Sequence, residues 1–254
     1  MKNKKRLDGL LLDRKLVETR SKAQALILAG QVVVEFPPNH TQPTPSEIKP
    51  GSLFPETVNI RIKESCPYVS RGGEKLAFAL KHWNISVEGK IVLDVGASTG
   101  GFSDCLLQNG AKFIYAMDVG HGQLHPKIRN DARVQVYEKT HILKWVPKWK
   151  KNGVPNFVTI DVSFISLVPV LKSVVEILGA QRYSVLALIK PQFEVGQKFL
   201  KKGIVKNLEA RAQSVDKIVQ LAKNLNLISV QSVPSAVLGA KGNAEEWLYA
   251  EKKK

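Results

Sequence analysis

The chain has 254 residues, with 38 Lys+Arg against 22 Asp+Glu, a net charge of +16, and 44% hydrophobic and 24% charged residues. This composition excludes a disordered or fibrous chain and suits one large domain, or a medium domain plus a small one. The positive surplus points to a polyanionic partner, nucleic acid or an anionic membrane surface, with a merely soluble surface as the plain alternative.

Cys66 and Cys105 are too few for a disulfide scaffold or a zinc cluster. The short apolar run Leu10-Leu11-Leu12 is broken at once by Asp13-Arg14-Lys15, and no apolar run approaches the roughly 20 residues that cross a bilayer. A cytoplasmic protein with no membrane role and no metal requirement is expected.

In chain order, residues 1–36 read as two short helices and a strand. Leu7, Leu10, Leu11 and then Ala23, Leu26, Ile27 fall at helical spacing, and Gly30 is a stop before Val32-Val33-Val34. The proline-rich residues 37–56 read as loop and turn, and Val58 to Ile62 alternates like an edge strand. From Gly72 the pattern changes. A helix from Lys75 to Trp83 leads to the strand Ile91–Val95, a glycine-rich loop and a helix over Phe102–Gln108. Strands are predicted at Phe113–Met117, Phe157–Ile160, Val185–Ile189, Leu227–Val233 and Glu246–Ala250, with helices over about 166–178 and 207–224. Short Val/Ile-rich runs separated by helices indicate a mostly parallel sheet covered on both faces.

Leu93-Asp94-Val95-Gly96-Ala97-Ser98-Thr99-Gly100-Gly101 is the most informative stretch. A strand running through glycines into a helix lets backbone approach a ligand closely. The loop lacks the Lys-Ser/Thr pair of a P-loop and the spacing of the dinucleotide fingerprint. Asp118, 22 positions after Gly96, ends the next strand and suits a ribose diol. Asp94 suits an ammonium group. A ribose and an amino acid on one ligand without phosphates describe S-adenosylmethionine; a purely structural glycine turn in another α/β enzyme is the alternative.

Tyr68-Val69-Ser70-Arg71-Gly72-Gly73-Glu74-Lys75-Leu76, followed by Leu93 through Phe102, resembles the TlyA family, often labelled haemolysin A. The likeness continues through Asp118–Leu124, Asp161-Val162-Ser163-Phe164-Ile165-Ser166, Leu188–Glu194 and Gly242-Asn243-Ala244-Glu245. It implies an FtsJ-like ribosomal RNA 2′-O-methyltransferase domain over residues 66–254, an α/β class I fold with a Rossmann-like, seven-stranded, doubly wound sheet. It also implies S-adenosyl-L-methionine as cofactor, held by Asp94, Gly96, Ala97, Ser98, Thr99, Gly100, Gly101, Phe102 and Asp118. The catalytic tetrad of FtsJ-like enzymes falls by motif on Lys75, Asp161, Lys190 and Glu245. A ribose 2′-hydroxyl must lose its proton as the methyl transfers, and a lysine at a buried strand end near a second lysine suits the base.

Two other methylation chemistries fit worse. Cytosine C5 transfer needs a cysteine nucleophile, and neither cysteine lies at a strand end. Exocyclic amine transfer usually carries an Asp/Asn-Pro-Pro-aromatic segment where this chain has Asp161-Val162-Ser163-Phe164.

Arg6-Leu7-Asp8 through Val32 resembles the small α+β RNA-binding domain named after ribosomal small-subunit protein four, here residues 1–65. That likeness implies RNA contact at Arg6, Arg20 and Lys22; its usual Val-Asn-Gly turn is replaced by Val34-Glu35-Phe36-Pro37-Pro38, so the following loop is expected to differ. Residues 139–151 hold five lysines, two tryptophans and no acid, and 197–203 form another acid-free stretch suited to a lid or a solvated loop. Trp145 and Trp149 are expected to pack rather than stack on bases. Ribosomal RNA or the ribosomal subunits are the expected partner. A noncatalytic assembly factor and a membrane-active haemolysin are the competing readings.

Overall fold

Residues 4–36, 41–44, 47–62, 66–147, 149, 152–239 and 242–253 are described by a computed structural model. The chain divides into two units, Met1–Ser65 and Cys66–Lys254.

In the first unit, β1 (Lys4–Arg6), α1 (Leu7–Asp13), α2 (Arg20–Leu28), β2 (Val32–Glu35), β3 (Leu53–Pro55) and β4 (Asn59–Ile62) follow in order. Thr19 caps α2 by accepting from the Lys22 backbone N–H at 3.1 Å. Leu7, Leu10, Leu11, Ala23, Ile27, Val32, Val34, Phe54 and Ile60 make its core. β2 pairs antiparallel with β4, and β1 with β3. The pairing at β3 lies inside the stretch expected to be loop. Pro37 and Pro38, of the divergent turn, lie outside the described residues.

The second unit is built on one seven-stranded sheet. Its strands are β5 (Ile91–Val95), β6 (Phe113–Met117), β7 (Val134–Tyr137), β8 (Phe157–Ile160), β9 (Tyr183–Ile189), β12 (Ile228–Pro234) and β13 (Glu246–Lys252). The order is β12-β13-β9-β8-β5-β6-β7. β5 through β9 run parallel, while β13 is antiparallel to both its neighbours. Six of these strands match the sequence expectation; β7, a half-buried edge strand of four residues, does not appear in it. β10 (Leu200–Lys201) and β11 (Ile204–Val205) form a separate hairpin that begins in the acid-free 197–203 stretch and ends just beyond it.

Helices cover both faces. α3 (Arg71–His82), α4 (Gly101–Gln108) and α5 (Pro126–Arg129) lie with one buried cluster that includes Leu76, Leu106, Ile128 and Trp247. α6 (Leu167–Leu178) and α8 (Leu208–Asn224) pack on the other, with Val170, Val174 and Ile218. α3 begins four residues before its expected start, which places Arg71 and Lys75 one turn apart. α7 (Pro191–Glu194) is a single turn after β9.

Trp145 and Trp149 pack edge-to-face on each other at 5.1 Å and onto Tyr137 and Tyr115, as expected of structural tryptophans. Lys148, Lys150 and Lys151 of the basic run lie outside the described residues. Among the described residues no helix is long and apolar enough to cross a membrane, and no group of His, Cys, Asp and Glu is arranged to hold a metal ion.

Candidate active site

Strand order makes the site. β5 has β6 on one side and β8 on the other, so its carboxyl end opens into the crevice where the connections diverge. Four loops leave the sheet at that edge: the glycine loop after β5, Asp118 after β6, Asp161 after β8 and Lys190 after β9. Because β13 is antiparallel, the residue before it, Glu245, arrives at the same edge.

The glycine loop is held down at its root. The N–H groups of Gly96 and Ala97 both donate to the Met117 carbonyl at 2.9 Å, and the Asp161 N–H donates to the Val95 carbonyl at 2.9 Å. Gly96 has φ +87°, and a Cβ there would collide with the Asp161 backbone carbonyl. Glycine is required on both counts.

Two adjoining chambers open here, of about 330 and 420 Å³, sharing Gly96, Ser98, Asp161, Ser163 and Phe164. The first is mainly apolar, walled by Val119, Ile142, Val162 and Ile165, with Asp118 at its edge. Each Asp118 carboxylate oxygen accepts one backbone N–H, from Ser98 at 2.8 Å and from Gly120 at 2.7 Å. A carboxylate oxygen has a second lone pair, so Asp118 retains capacity to accept from a diol.

The second chamber is charged. Ala97, Ser98, Thr99, Gly101 and Phe102 line one side, and Lys75, Asp161, Lys190 and Glu245 the other. The four form two ion pairs, Lys75 Nζ to Glu245 Oε2 and Lys190 Nζ to Asp161 Oδ1, each at 2.6 Å. The lysine side chains are only 12% and 11% exposed, unlike an ordinary surface lysine. Lys190 Nζ also donates to Ser163 Oγ at 2.9 Å. Gln192 Nε2 lies 3.5 Å from Glu245 Oε1. Gly239 packs so closely on the Glu245 carboxylate that a Cβ would overlap it.

Asp94 does not join the cavity, and the expectation of an ammonium contact is corrected. Its side chain is fully buried, accepting from Ser103 Oγ at 2.6 Å and Thr159 Oγ1 at 2.8 Å. Burial pushes its carboxyl up to about 6 despite the two hydroxyl donors. The parallel register sets Asp94 opposite Thr159, so strand alternation turns the acid inward beneath the loop. Gly100 is also absent from both linings; with φ +93° it starts α4 against Leu124 and Ile128.

Arg6, Arg20 and Lys22 belong to the other unit. Arg6 and Arg20 are paired to Asp8, and Lys22 is exposed. Cys105 is fully buried and its thiol is pushed up to about 11, mainly by burial, which removes it as a nucleophile.

Sequence reasoning missed Ser163, Phe164 and Gln192. Phe164 is 92% exposed at φ +64°, lines both chambers and leans on Phe193 at 5.3 Å. An aromatic directly after an acid and a serine at a strand end was the available signal.

Residues 68–253 match the family described as FtsJ-like methyltransferase. The chain belongs to that family. YqxC of Bacillus subtilis is 42% identical over 251 residues, covering 97% of this chain and 85% of that protein. A Mycobacterium tuberculosis protein named 16S/23S rRNA (cytidine-2′-O)-methyltransferase TlyA is 36% identical, covering 98% of this chain and 90% of its own length. A solved structure of a hemolysin-named protein from Streptococcus thermophilus superposes with a TM-score of 0.73 at 39% identity, covering all of this chain and 90% of the other. Membership in the family accounts for the mostly parallel sheet and for a glycine loop at its switch point.

Proposed function

We propose that the protein transfers a methyl group from S-adenosyl-L-methionine to a ribose 2′-hydroxyl of ribosomal RNA, in the cytoplasm. The observation that carries this reading is the pair of 2.6 Å Lys–carboxylate contacts on one wall of a chamber whose other wall is the glycine loop. The chambers fit the cofactor. Asp118 would hold its ribose diol, the apolar wall its base, and Gly96, Ala97, Ser98, Thr99, Gly101 and Phe102 its amino-acid portion. When bound, the cofactor supplies an electrophilic methyl group on a sulfonium.

The residues of the chain then handle the hydroxyl. Lys190, entering the step as the neutral amine after its ammonium proton has passed to solvent, takes the hydroxyl proton on Nζ as the bond between the ribose oxygen and the methyl group forms and the methyl–sulfonium bond breaks. Asp161 and Ser163 fix where that nitrogen sits. Lys75 and Glu245 complete the wall and balance its charge. Orienting the hydroxyl in line supplies much of the acceleration. Residues 1–65 serve as the RNA-binding module, with Arg6, Arg20 and Lys22 meeting backbone phosphate.

Mapping 2′-O-methyl positions on ribosomal RNA made with and without the protein tests the reading. Sites that vanish without the protein and return with it are the expected result. Sites restored in full by Lys190→Ala would remove Lys190 from the proton transfer.

A further inference from the structure

The first unit contains a charge cluster built around a hidden anion. Asp8, in the first turn of α1, has a fully buried side chain, and its backbone N–H donates to the Pro50 carbonyl at 3.1 Å. Its carboxylate accepts from Arg6 Nε and Nη2 at 3.0 and 2.8 Å, from Arg20 Nε and Nη2 at 3.2 and 3.5 Å, and from Gln24 Nε2 at 3.2 Å. The arginine side chains are 49% and 56% exposed. The carboxylate is thus sunk, while both cations reach solvent.

The chemistry of the fork matters here. Each guanidinium turns its Nε–Nη2 edge inward to Asp8 and keeps its Nη1 protons, with one on Nη2, for another acceptor. Two arginines side by side repel; a shared carboxylate offsets that repulsion and immobilises both planes. The ordering of two long side chains, which a ligand would otherwise have to impose, is already complete in the folded unit.

We propose that Asp8 is a positioning residue that fixes Arg6 and Arg20 as a two-guanidinium clamp for a backbone phosphate of structured RNA. The inference rests on the RNA-binding reading of residues 1–65. It also makes a sign prediction that charge alone reverses. Removing a negative charge from a basic surface should tighten RNA binding if only the summed field matters. Losing the clamp should weaken it.

The test uses the full chain and a fluorescein-labelled ribosomal RNA hairpin titrated at several salt concentrations. Asp8→Asn should weaken binding by about fivefold to tenfold, comparable to Arg6→Ala, and should have no further effect once Arg6 and Arg20 are both alanine. The slope of log affinity against log salt should become shallower by about 0.7–0.9 for each phosphate no longer neutralised. Binding by Asp8→Asn as tight as the parent or tighter overturns the proposal.

Arg20→Lys decides the matter if Asp8→Asn disturbs the fold. It keeps the charge and loses the fork, so it should bind as weakly as Arg20→Ala, and parental affinity would overturn the clamp. If neither Arg6→Ala nor Arg20→Ala weakens binding, the RNA-binding reading falls. If both do and Asp8→Asn does not, only the role of Asp8 falls. S-adenosylmethionine affinity, measured by calorimetry, should stay within about twofold in every variant, reporting an intact second unit.

Discussion

Two carboxylates, one in each unit, are both closed to solvent, Asp8 just beneath half-exposed arginines and Asp94 deep in the sheet, and they carry charge in opposite ways. Asp8 and Asp94 both have fully buried side chains. Hydrogen bonds from Arg6 above all, and from Arg20, hold the Asp8 carboxyl well below the usual carboxylate range. Asp94 has only the hydroxyls of Ser103 and Thr159, and burial wins, raising it to about 6. Depth raises Asp94, and the guanidinium partners lower Asp8. The anion that keeps its charge organises cations at a surface. The one whose carboxyl is raised ties helix α4 to strand β8 through Ser103 and Thr159.

The largest departure from this contrast is expected where paired charge serves chemistry rather than shape. Lys190→Ala should lower the methyl-transfer rate by about a thousandfold or more, with cofactor affinity within about twofold, read by single-turnover methylation and calorimetry. Lys190→Arg should be nearly as inactive, because a guanidinium does not give up its proton. Gly96→Ala should cost about 2–3 kcal/mol of stability in chemical denaturation and abolish cofactor binding, since both φ and the Asp161 carbonyl oppose a side chain. Asp118→Ala should weaken the cofactor by about 10- to 100-fold while leaving the melting temperature nearly unchanged.

The smallest effects bear directly on the two hidden acids. The folded form binds a proton at Asp94 more tightly than the unfolded chain does. Its contribution therefore favours folding in acid and declines as pH rises from about 4 to about 6. Asp94→Asn should flatten the pH dependence of stability in that window by about 1–3 kcal/mol. Asp8 has the opposite sign. Its contribution is full above the ordinary carboxylate range, begins to fall below about pH 4 and is gone only at the much lower folded-state value, so Asp8→Asn should lose stability at neutral pH and start to approach the parent only below about pH 4. Denaturation curves from pH 3 to pH 7 that moved in the same direction for both variants would erase the contrast.

Much of the second unit is legible in the sequence because buried parallel strands read as short apolar runs, and because glycines at a strand end leave the chain little choice but a turn into a helix. The tetrad positions are legible only through a family likeness; no spacing rule places Lys75 beside Glu245, 170 positions apart. β7 is hidden because Val134-Gln135-Val136-Tyr137 is too short for periodicity to stand above a loop, and only its pairing with β6 makes it a strand. β3 is hidden for the same reason, a three-residue pairing inside a proline-rich stretch. Asp94 misleads because an acid before a glycine loop looks like a ligand residue, whereas alternation along β5 and its register with Thr159 turn it inward. Side-chain direction at a strand end is a property of the sheet.

The insertion of β13 between β9 and β12 also bears on how the protein is made. Every other strand of that sheet precedes β13 in the chain, yet β13 occupies an interior position and brings both Trp247 and, at its approach, Glu245. During synthesis the emerging domain must hold a gap open, or form and reopen a β9–β12 edge, until residues 246–252 leave the ribosome. Lys75 waits for its carboxylate until then. The ion pair on the charged wall of the chamber is therefore among the last contacts this domain can complete.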